Sequence, residues 1–163
     1  MITLLWRSKT VKKMIRAAGV GLLFLAVLPL SPASAGEEPL EKLKAGKAAF
    51  DVECRKCHTP KYALDETYSR DDWEMTVNMM RSNGAEITDE QKWVIIDYLT
   101  AKSLLETKCS VCHEIERPLS KTKSPADWLA TVTRMSGKKA GHLSEEEVRW
   151  IAAYLAMERP AAE

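Results

Sequence analysis

The pattern Cys-x-x-Cys-His occurs twice in this chain, at residues 54–58 and, 55 residues further on, at residues 109–113. All four cysteines of the sequence lie in these two motifs. In this pattern, two thiols add across the vinyl groups of a haem, and the adjacent histidine becomes the proximal ligand of the iron. The sequence therefore predicts two covalently attached haem c groups. The predicted attachment residues are Cys54, Cys57, Cys109 and Cys112, and the predicted proximal iron ligands are His58 and His113.

Three other kinds of site also use paired cysteines: a zinc site, a redox-active dithiol and a disulfide framework. A four-thiolate zinc site would account for the cysteine pairs but not for the histidine that follows each of them. A thioredoxin-like dithiol would occur once, near a βαβ pattern, and the sequence shows no such pattern. Haem attachment is accordingly the preferred interpretation.

Residues 1–35 have the composition of a targeting segment. Five basic residues precede or border an apolar run over residues 17–30, and residues 33–35 form an A-x-A cleavage site. The sequence therefore predicts a cleavable signal peptide, with cleavage after Ala35 and export to the periplasm. The alternative is an uncleaved membrane anchor, although the run is shorter than the roughly 20 residues that span a bilayer.

The charge of the remaining chain limits the class of partner. Residues 36–163 contain 19 basic and 23 acidic residues. This net negative charge argues against a nucleic-acid partner. It is compatible with electrostatic steering toward a basic protein, although charge alone identifies no partner.

The chain after residue 35 contains an internal repeat. A shift of the sequence by 55 residues, and by 56 after one inserted residue, superposes the two motifs and their surroundings. Units of about 60 residues bury little apolar core alone, so a haem would supply the missing apolar centre. We therefore predict a signal peptide at 1–35 and haem c domains at 36–100 and 101–163. The superposed pairs include Trp73 and Trp128, Val77 and Val132, Met80 and Met135, Tyr98 and Tyr154, and Leu99 and Leu155.

Each unit is predicted to contain three helices, and no segment alternates with the period of a strand. Before the first motif, Leu43, Gly46 and Phe50 share one helix face, where the small Gly46 would let another helix cross closely. Ala101 and Leu105 are the equivalents of Gly46 and Phe50 in the second unit. The other helices are predicted to begin after the N-cap residues Ser69, Thr88, Ser124 and Ser144.

No glycine or proline lies between Thr88 and Cys109. The last helix of the first unit is therefore predicted to run directly into the first helix of the second, which would fix the geometry between the haems. A break near residues 100–103 is the alternative. The predicted fold is all-α, with two tandem three-helix domains joined by a shared helix at about 88–109.

The second axial position of each iron has a candidate ligand. Met80 follows His58 by 22 residues, and Met135 follows His113 by the same interval. A thioether at an equivalent place in both units is what His/Met ligation requires, and such ligation raises the reduction potential. The alternative role of these methionines is core filling.

Several neighbouring residues are rivals or supporting groups. Met79 and the more distant Met75 compete with Met80, and the helix face shared with Trp73 favours Met80. His142 has no repeated counterpart and is predicted to be a solvated loop residue rather than a ligand. Trp73 and Trp128 are expected to pack on the haem or in the core, and a hydrogen bond to a haem propionate is an option for them. Tyr98 and Tyr154 are expected to pack at helix crossings. Four lysines are expected to lie on solvated faces: Lys121, Lys123, Lys138 and Lys139.

These features resemble the class I c-type cytochromes. The resemblance covers residues 39–157 and rests on both Cys-x-x-Cys-His motifs, the downstream methionines and the Tyr-Leu pair that ends each unit. Within that family, the chain is similar to a two-domain dihaem cytochrome. The resemblance implies an all-α fold in which the first and last helices cross with the haem between them, and it implies electron transfer.

The first functional hypothesis is a periplasmic electron carrier, or a small electron-transfer subunit of a larger oxidoreductase complex, with redox proteins as donor and acceptor. This hypothesis involves no catalytic residue. The second is a small dihaem peroxidase or oxidase, which needs an iron with an open or displaceable axial ligand. The third is a haem-based sensor, which carbon monoxide binding by the ferrous form would favour.

Overall fold

The computed structural model describes residues 37–162, which form seven helices. In this part of the chain there is no strand, only an isolated bridge between Lys123 and Pro160, so the predicted all-α fold is confirmed. None of the described helices is long and apolar enough to cross a membrane. The predicted signal segment at 1–35 lies outside the described residues. The helices are α1 (Glu37–Glu53), α2 (Lys61–Asp65), α3 (Arg70–Ser82), α4 (Asp89–Cys109), α5 (Glu116–Leu119), α6 (Pro125–Ser136) and α7 (Glu145–Glu158).

Side-chain caps start four helices at the predicted residues. Ser69 and Ser124 each accept a hydrogen bond from the backbone N–H three residues on, at the starts of α3 and α6. Thr88 and Ser144 form complete capping boxes at the starts of α4 and α7. Each cap satisfies a backbone N–H that the first helical turn leaves without a partner. The local sequence therefore sets where these helices begin.

Helix α4 is continuous from Asp89 to Cys109, which confirms the predicted shared helix and excludes a break near residues 100–103. The predicted boundary between residues 100 and 101 falls inside this helix. Its 21 residues form a rod about 32 Å long. The first half of α4 packs against α1 of the first repeat, and its end carries Cys109 of the second motif.

Helix α1 crosses α4 at a glycine. A Cβ atom built on Gly46 would lie 2.1 Å from the carbonyl oxygen of Val94 and 2.9 Å from the Cβ atom of Tyr98. Glycine is therefore required for the two backbones to approach this closely. Leu43 and Phe50, on the same face of α1, are 0% and 1% exposed, as their spacing predicts.

A row of aromatic rings joins three helices. The ring centroid of Tyr98 lies 5.5 Å from that of Phe50 on α1 and 5.9 Å from that of Tyr154 on α7. Burial raises the pKa of Tyr98 to about 12 and also raises that of Tyr154, so both phenols stay protonated at neutral pH. The expected packing of the two tyrosines at helix crossings is thus confirmed.

The two repeats share one buried core. Helix α1 of the first repeat packs directly on α7 of the second, and both pack on α4. Buried apolar residues of all three helices belong to the same cluster. The repeat pattern does not predict the contact between α1 and α7.

Two short helices, α2 and α5, follow the motifs at equivalent places. They contain five and four residues, too few for a periodic pattern to predict them from sequence. Residues of α2 line one cavity and residues of α5 line another.

Candidate functional site

The first motif borders a cavity of about 500 Å³ that is lined by residues of α1, α3 and α4. Four residues that the sequence predicts to bind one haem line it together: Cys54, Cys57, His58 and Met80. Most of the remaining wall is apolar and includes Phe50, Trp73, Val77, Ile95 and Leu99. The fold therefore brings all the predicted haem-binding residues of the first repeat to one apolar cavity.

The second motif borders a cavity of about 300 Å³ at the end of α4, beside α6 and α7. The predicted set of the second unit lines it: Cys109, Cys112, His113 and Met135. Its apolar wall includes Trp128, Val132, Leu143 and Leu155. Both volumes lie in the range of about 300–1,000 Å³ that is usual for ligand pockets. Equivalent residues of the two repeats thus form two equivalent cavities.

The two motif histidines are held in the same way. The Nδ1–H group of His58 donates to the carbonyl oxygen of Thr59 at 3.0 Å, and that of His113 donates to the carbonyl oxygen of Glu114 at 3.1 Å. Because a neutral imidazole with its proton on Nδ1 has a lone pair on Nε2, each ring keeps Nε2 for a metal. A hydrogen bond from the other ring nitrogen is typical of metal-bound histidines.

Met80 lies in the first cavity wall, whereas its rivals point to solvent. Met75 and Met79 are 65% and 52% exposed. This placement agrees with the helix-face argument that favours Met80. Met135 lines the second cavity at its mouth, with 36% of its surface exposed. Ligation of iron by the two methionines stays a prediction.

His142 is half-buried in the wall of the second cavity, which differs from the solvated position that the sequence predicts. Its Nε2–H group donates to the carbonyl oxygen of Lys108 at 2.8 Å, and Lys108 Nζ donates back to the carbonyl oxygen of His142 at 3.4 Å. This reciprocal contact between α4 and the loop before α7 explains the burial. In this arrangement, His142 anchors the loop, and its Nε2 is already engaged.

Trp73 and Trp128 are buried in the two cavity walls, with 0% and 1% exposure. Trp73 Nε1 donates to Ser103 Oγ at 2.9 Å, and Trp128 Nε1 donates to the carbonyl oxygen of Arg159 at 3.1 Å. Both buried indole donors therefore have protein partners. Core packing is confirmed as their role, and neither indole is left to donate to a haem propionate.

The cysteine pairs do not form a shared metal site. Burial raises the pKa of Cys54 to about 11, with smaller effects of Glu53 and Asp51, and burial also raises the pKa of Cys109. These two thiols are therefore protonated at neutral pH, and the two cysteine pairs line separate cavities. Moreover, residues 37–162 contain no cluster of three or more His, Cys, Asp or Glu side chains that could hold a metal ion. These observations argue against the zinc alternative.

Charged side chains are the site residues that sequence analysis missed. The lysines interpreted as solvated faces lie at the second cavity, where the fold brings them together from separate segments. No local pattern distinguishes them from other surface lysines. They are Lys121, Lys123, Lys138 and Lys139.

The sequence comparison points to the same chemistry. A family model described as quinohemoprotein amine dehydrogenase A, alpha subunit, haem binding matches residues 100–162. The matched segment contains the second motif and all residues of α5, α6 and α7. No curated protein and no solved structure matches the chain. The match supports haem binding by this protein.

The residues around each cavity fit a haem. An apolar wall suits the porphyrin, and paired thiols lie beside an imidazole with a free Nε2 and a thioether. The same donor set occurs in both cavities, although the family match covers only the second.

Proposed function

We propose that this protein is a dihaem c-type cytochrome that carries single electrons between redox proteins. The observation that carries the proposal is the pair of equivalent cavities, each lined by two cysteines, one histidine and one methionine at matching positions of the repeats. Haem binding is supported independently by the match over residues 100–162. The second haem, its covalent attachment and the His/Met ligation are parts of the proposal.

Covalent attachment would join the thiols of the two motifs to the haem vinyl groups and would need no oxidant. Each S–H adds across one vinyl C=C bond, with sulfur bonded to one carbon and hydrogen to the other, so no electron is gained or lost. Cys54 and Cys57 would hold one haem, and Cys109 and Cys112 the other. Bound haem supplies an iron that cycles between the ferrous and ferric states.

The residues of the chain control how each iron reacts. The Nδ1–H hydrogen bonds of His58 and His113 orient the imidazoles that would bind iron through Nε2. Met80 and Met135 would occupy the opposite positions, which favours electron transfer over the binding of small ligands. The continuous helix α4 joins the two sites, so the geometry between the haems would be fixed by a helix and not left to a flexible linker.

We further propose export to the periplasm, by means of the segment at residues 1–35. The matched family model is named after a dehydrogenase subunit. This name supports a role beside an oxidoreductase, either as a separate electron carrier or as a small electron-transfer subunit of the complex. Donor and acceptor would both be redox proteins.

The test is expression of the chain together with haem-maturation enzymes, followed by haem quantification and near-infrared magnetic circular dichroism of the ferric protein. We expect two haems per chain, both with the His/Met signature and both reversibly reducible. Replacement of both cysteines of one motif by alanine should remove one haem. A single haem in the unmodified chain, or haems that cannot be reversibly reduced, would refute the proposal.

The same spectra separate the competing functions. A high-spin iron combined with peroxide turnover would favour a peroxidase or oxidase, and carbon monoxide binding by the ferrous form would favour a sensor. A bis-histidine signature at one haem would implicate His142, because it is the one histidine of the sequence that lies outside the two motifs.

A further inference from the structure

The two cavities have equivalent predicted ligands but opposite charge. Among the described residues, the first is lined by Glu53 and Glu66 and by no lysine or arginine. The second is lined by seven cationic side chains and, within the same part of the chain, by no carboxylate. We call this set the basic rim; it consists of Lys108, Arg117, Lys121, Lys123, Arg134, Lys138 and Lys139.

The charge reversal occurs at equivalent positions of the repeats. With the shift of 55 residues, Glu53 corresponds to Lys108, and Glu66 corresponds to Lys121. Residues 52–86 contain five basic and seven acidic residues, whereas the equivalent residues 107–142 contain seven basic and three acidic ones. At three more rim positions, Arg117, Lys123 and Arg134 stand where the first repeat has Tyr62, Tyr68 and Met79.

Most of the basic rim is not neutralised by the described protein. Lys108 pairs with Glu147 at 2.9 Å, and Lys123 donates to the hydroxyl of Thr131 at 2.7 Å. No other rim residue forms a salt bridge within residues 37–162. One of the seven cations, Lys108, is already paired. If two others paired with the two propionates of a haem, four cations of the rim would still have no anionic partner. Five members of the rim are exposed: Arg117, Lys121, Arg134, Lys138 and Lys139.

The exposed rim differs from the rest of the surface. Residues 36–106 contain ten basic and fifteen acidic residues, so a long polyanion that extended beyond the rim would meet negative charge. A protein with a confined acidic patch would meet only the rim. The mouth of the first cavity offers such a partner no attraction, because exposed Tyr62 lines this cavity and its charged lining is acidic.

We propose that the basic rim is the docking site for an acidic redox protein, which exchanges electrons with this chain through the second haem. The inference rests on the proposed function, because it requires a haem in the second cavity. Opposite charges on the two surfaces would accelerate association and orient the partner. The partner would therefore use the second site and not the first.

Reduced flavodoxin, a small acidic flavoprotein, is a suitable probe. Its flavin hydroquinone loses one electron to become the semiquinone, and one ferric iron of the dihaem protein becomes ferrous. Stopped-flow absorption would give the second-order rate constant at low and high ionic strength. We expect the rate constant to fall by about tenfold or more as added salt screens the charges.

The variant K138Q/K139Q removes two exposed charges of the rim and should lower the low-salt rate constant by about three- to tenfold. The variant K42Q/K44Q removes the same charge from α1, outside both cavities, where the two lysine side chains are 47% and 53% exposed. This control should leave the rate constant nearly unchanged. Haem content and near-infrared spectra are recorded for both variants, and a lower rate constant at equal haem content assigns the effect to docking.

A rate constant that is insensitive to salt, or that falls equally in the two variants, would overturn the docking proposal. Binding to vesicles of phosphatidylglycerol and phosphatidylcholine, without any effect of K138Q/K139Q on flavodoxin, would also overturn it in favour of a membrane surface. If both haems are present and reducible in these experiments, only the docking proposal fails. Absence of the second haem would overturn both proposals.

Discussion

Replacement of Gly46 by alanine should force α1 away from α4. The new Cβ atom would lie 2.1 Å from the carbonyl oxygen of Val94 and 2.8 Å from its carbonyl carbon. These are backbone atoms, so no rotamer change can relieve the clash. The helices would have to separate by roughly 1 Å to restore ordinary contact distances. This separation would also loosen the ring pair of Phe50 and Tyr98, whose centroids lie 5.5 Å apart.

The magnitude follows from two opposing effects. Overpacking of a well-packed core costs about 1–3 kcal/mol, and the upper end applies here because the backbone cannot move aside alone. Alanine is favoured over glycine inside a helix by about 1 kcal/mol. The net expected loss in the free energy of unfolding is about 2 kcal/mol. For a urea m-value of about 2 kcal/mol/M, the unfolding midpoint should fall by about 1 M.

Urea unfolding of the haem-loaded protein, followed by far-ultraviolet circular dichroism, measures this midpoint. The matched control is G137A, because Gly137 has a φ angle of −68° and its added Cβ atom would find no neighbour closer than 3.7 Å. G137A should leave stability unchanged or raise it slightly. A midpoint for G46A at or above that of the unmodified protein would refute the close-approach argument.

Three further substitutions test the core and the site. W73F should lower the free energy of unfolding by about 1–2 kcal/mol, measured by urea unfolding, because buried Ser103 loses its hydrogen-bond donor. Burial raises the pKa of Glu158 above 4.5, so the contribution of this carboxyl to stability should be fully present below that pH and should be lost as the pH rises through the raised pKa; E158Q should remove this contribution, which is measured as the difference in urea midpoint between the two proteins across that range. M80A should abolish the near-infrared His/Met signature of one haem, whereas M79A should preserve both.

Surface variants provide the controls for the two stability predictions. W93F changes an indole that is 43% exposed and should have little effect, so a loss as large as that of W73F would contradict the hydrogen-bond argument. E41Q removes an exposed carboxylate and should preserve the pH dependence, since the Glu41 side chain is 70% exposed. A difference in urea midpoint between the unmodified protein and E158Q that stays constant through the same pH range would contradict the effect of burial on Glu158.

Much of the fold was predictable because it depends on residues that are close in sequence. The N-cap residues Ser69 and Thr88 satisfy backbone groups within their own first turns. The continuity of α4 follows from the absence of glycine and proline over its length. Gly46 marks a close helix crossing in the sequence because it shares a face with Leu43 and Phe50, although the sequence does not say which helix crosses there.

The sequence by itself determined the two attachment motifs, the repeat and the helix starts, since covalent spacing and local hydrogen bonds follow from neighbouring residues. Only the tertiary structure decided that α1 packs on α7, so that the repeats share one core. It also decided that His142 is tied to Lys108, a contact that joins two segments 34 residues apart. The basic excess of residues 107–142 is present in the sequence, but only the fold places these cations around one cavity, because they come from α4, α5, α6 and the loops between them.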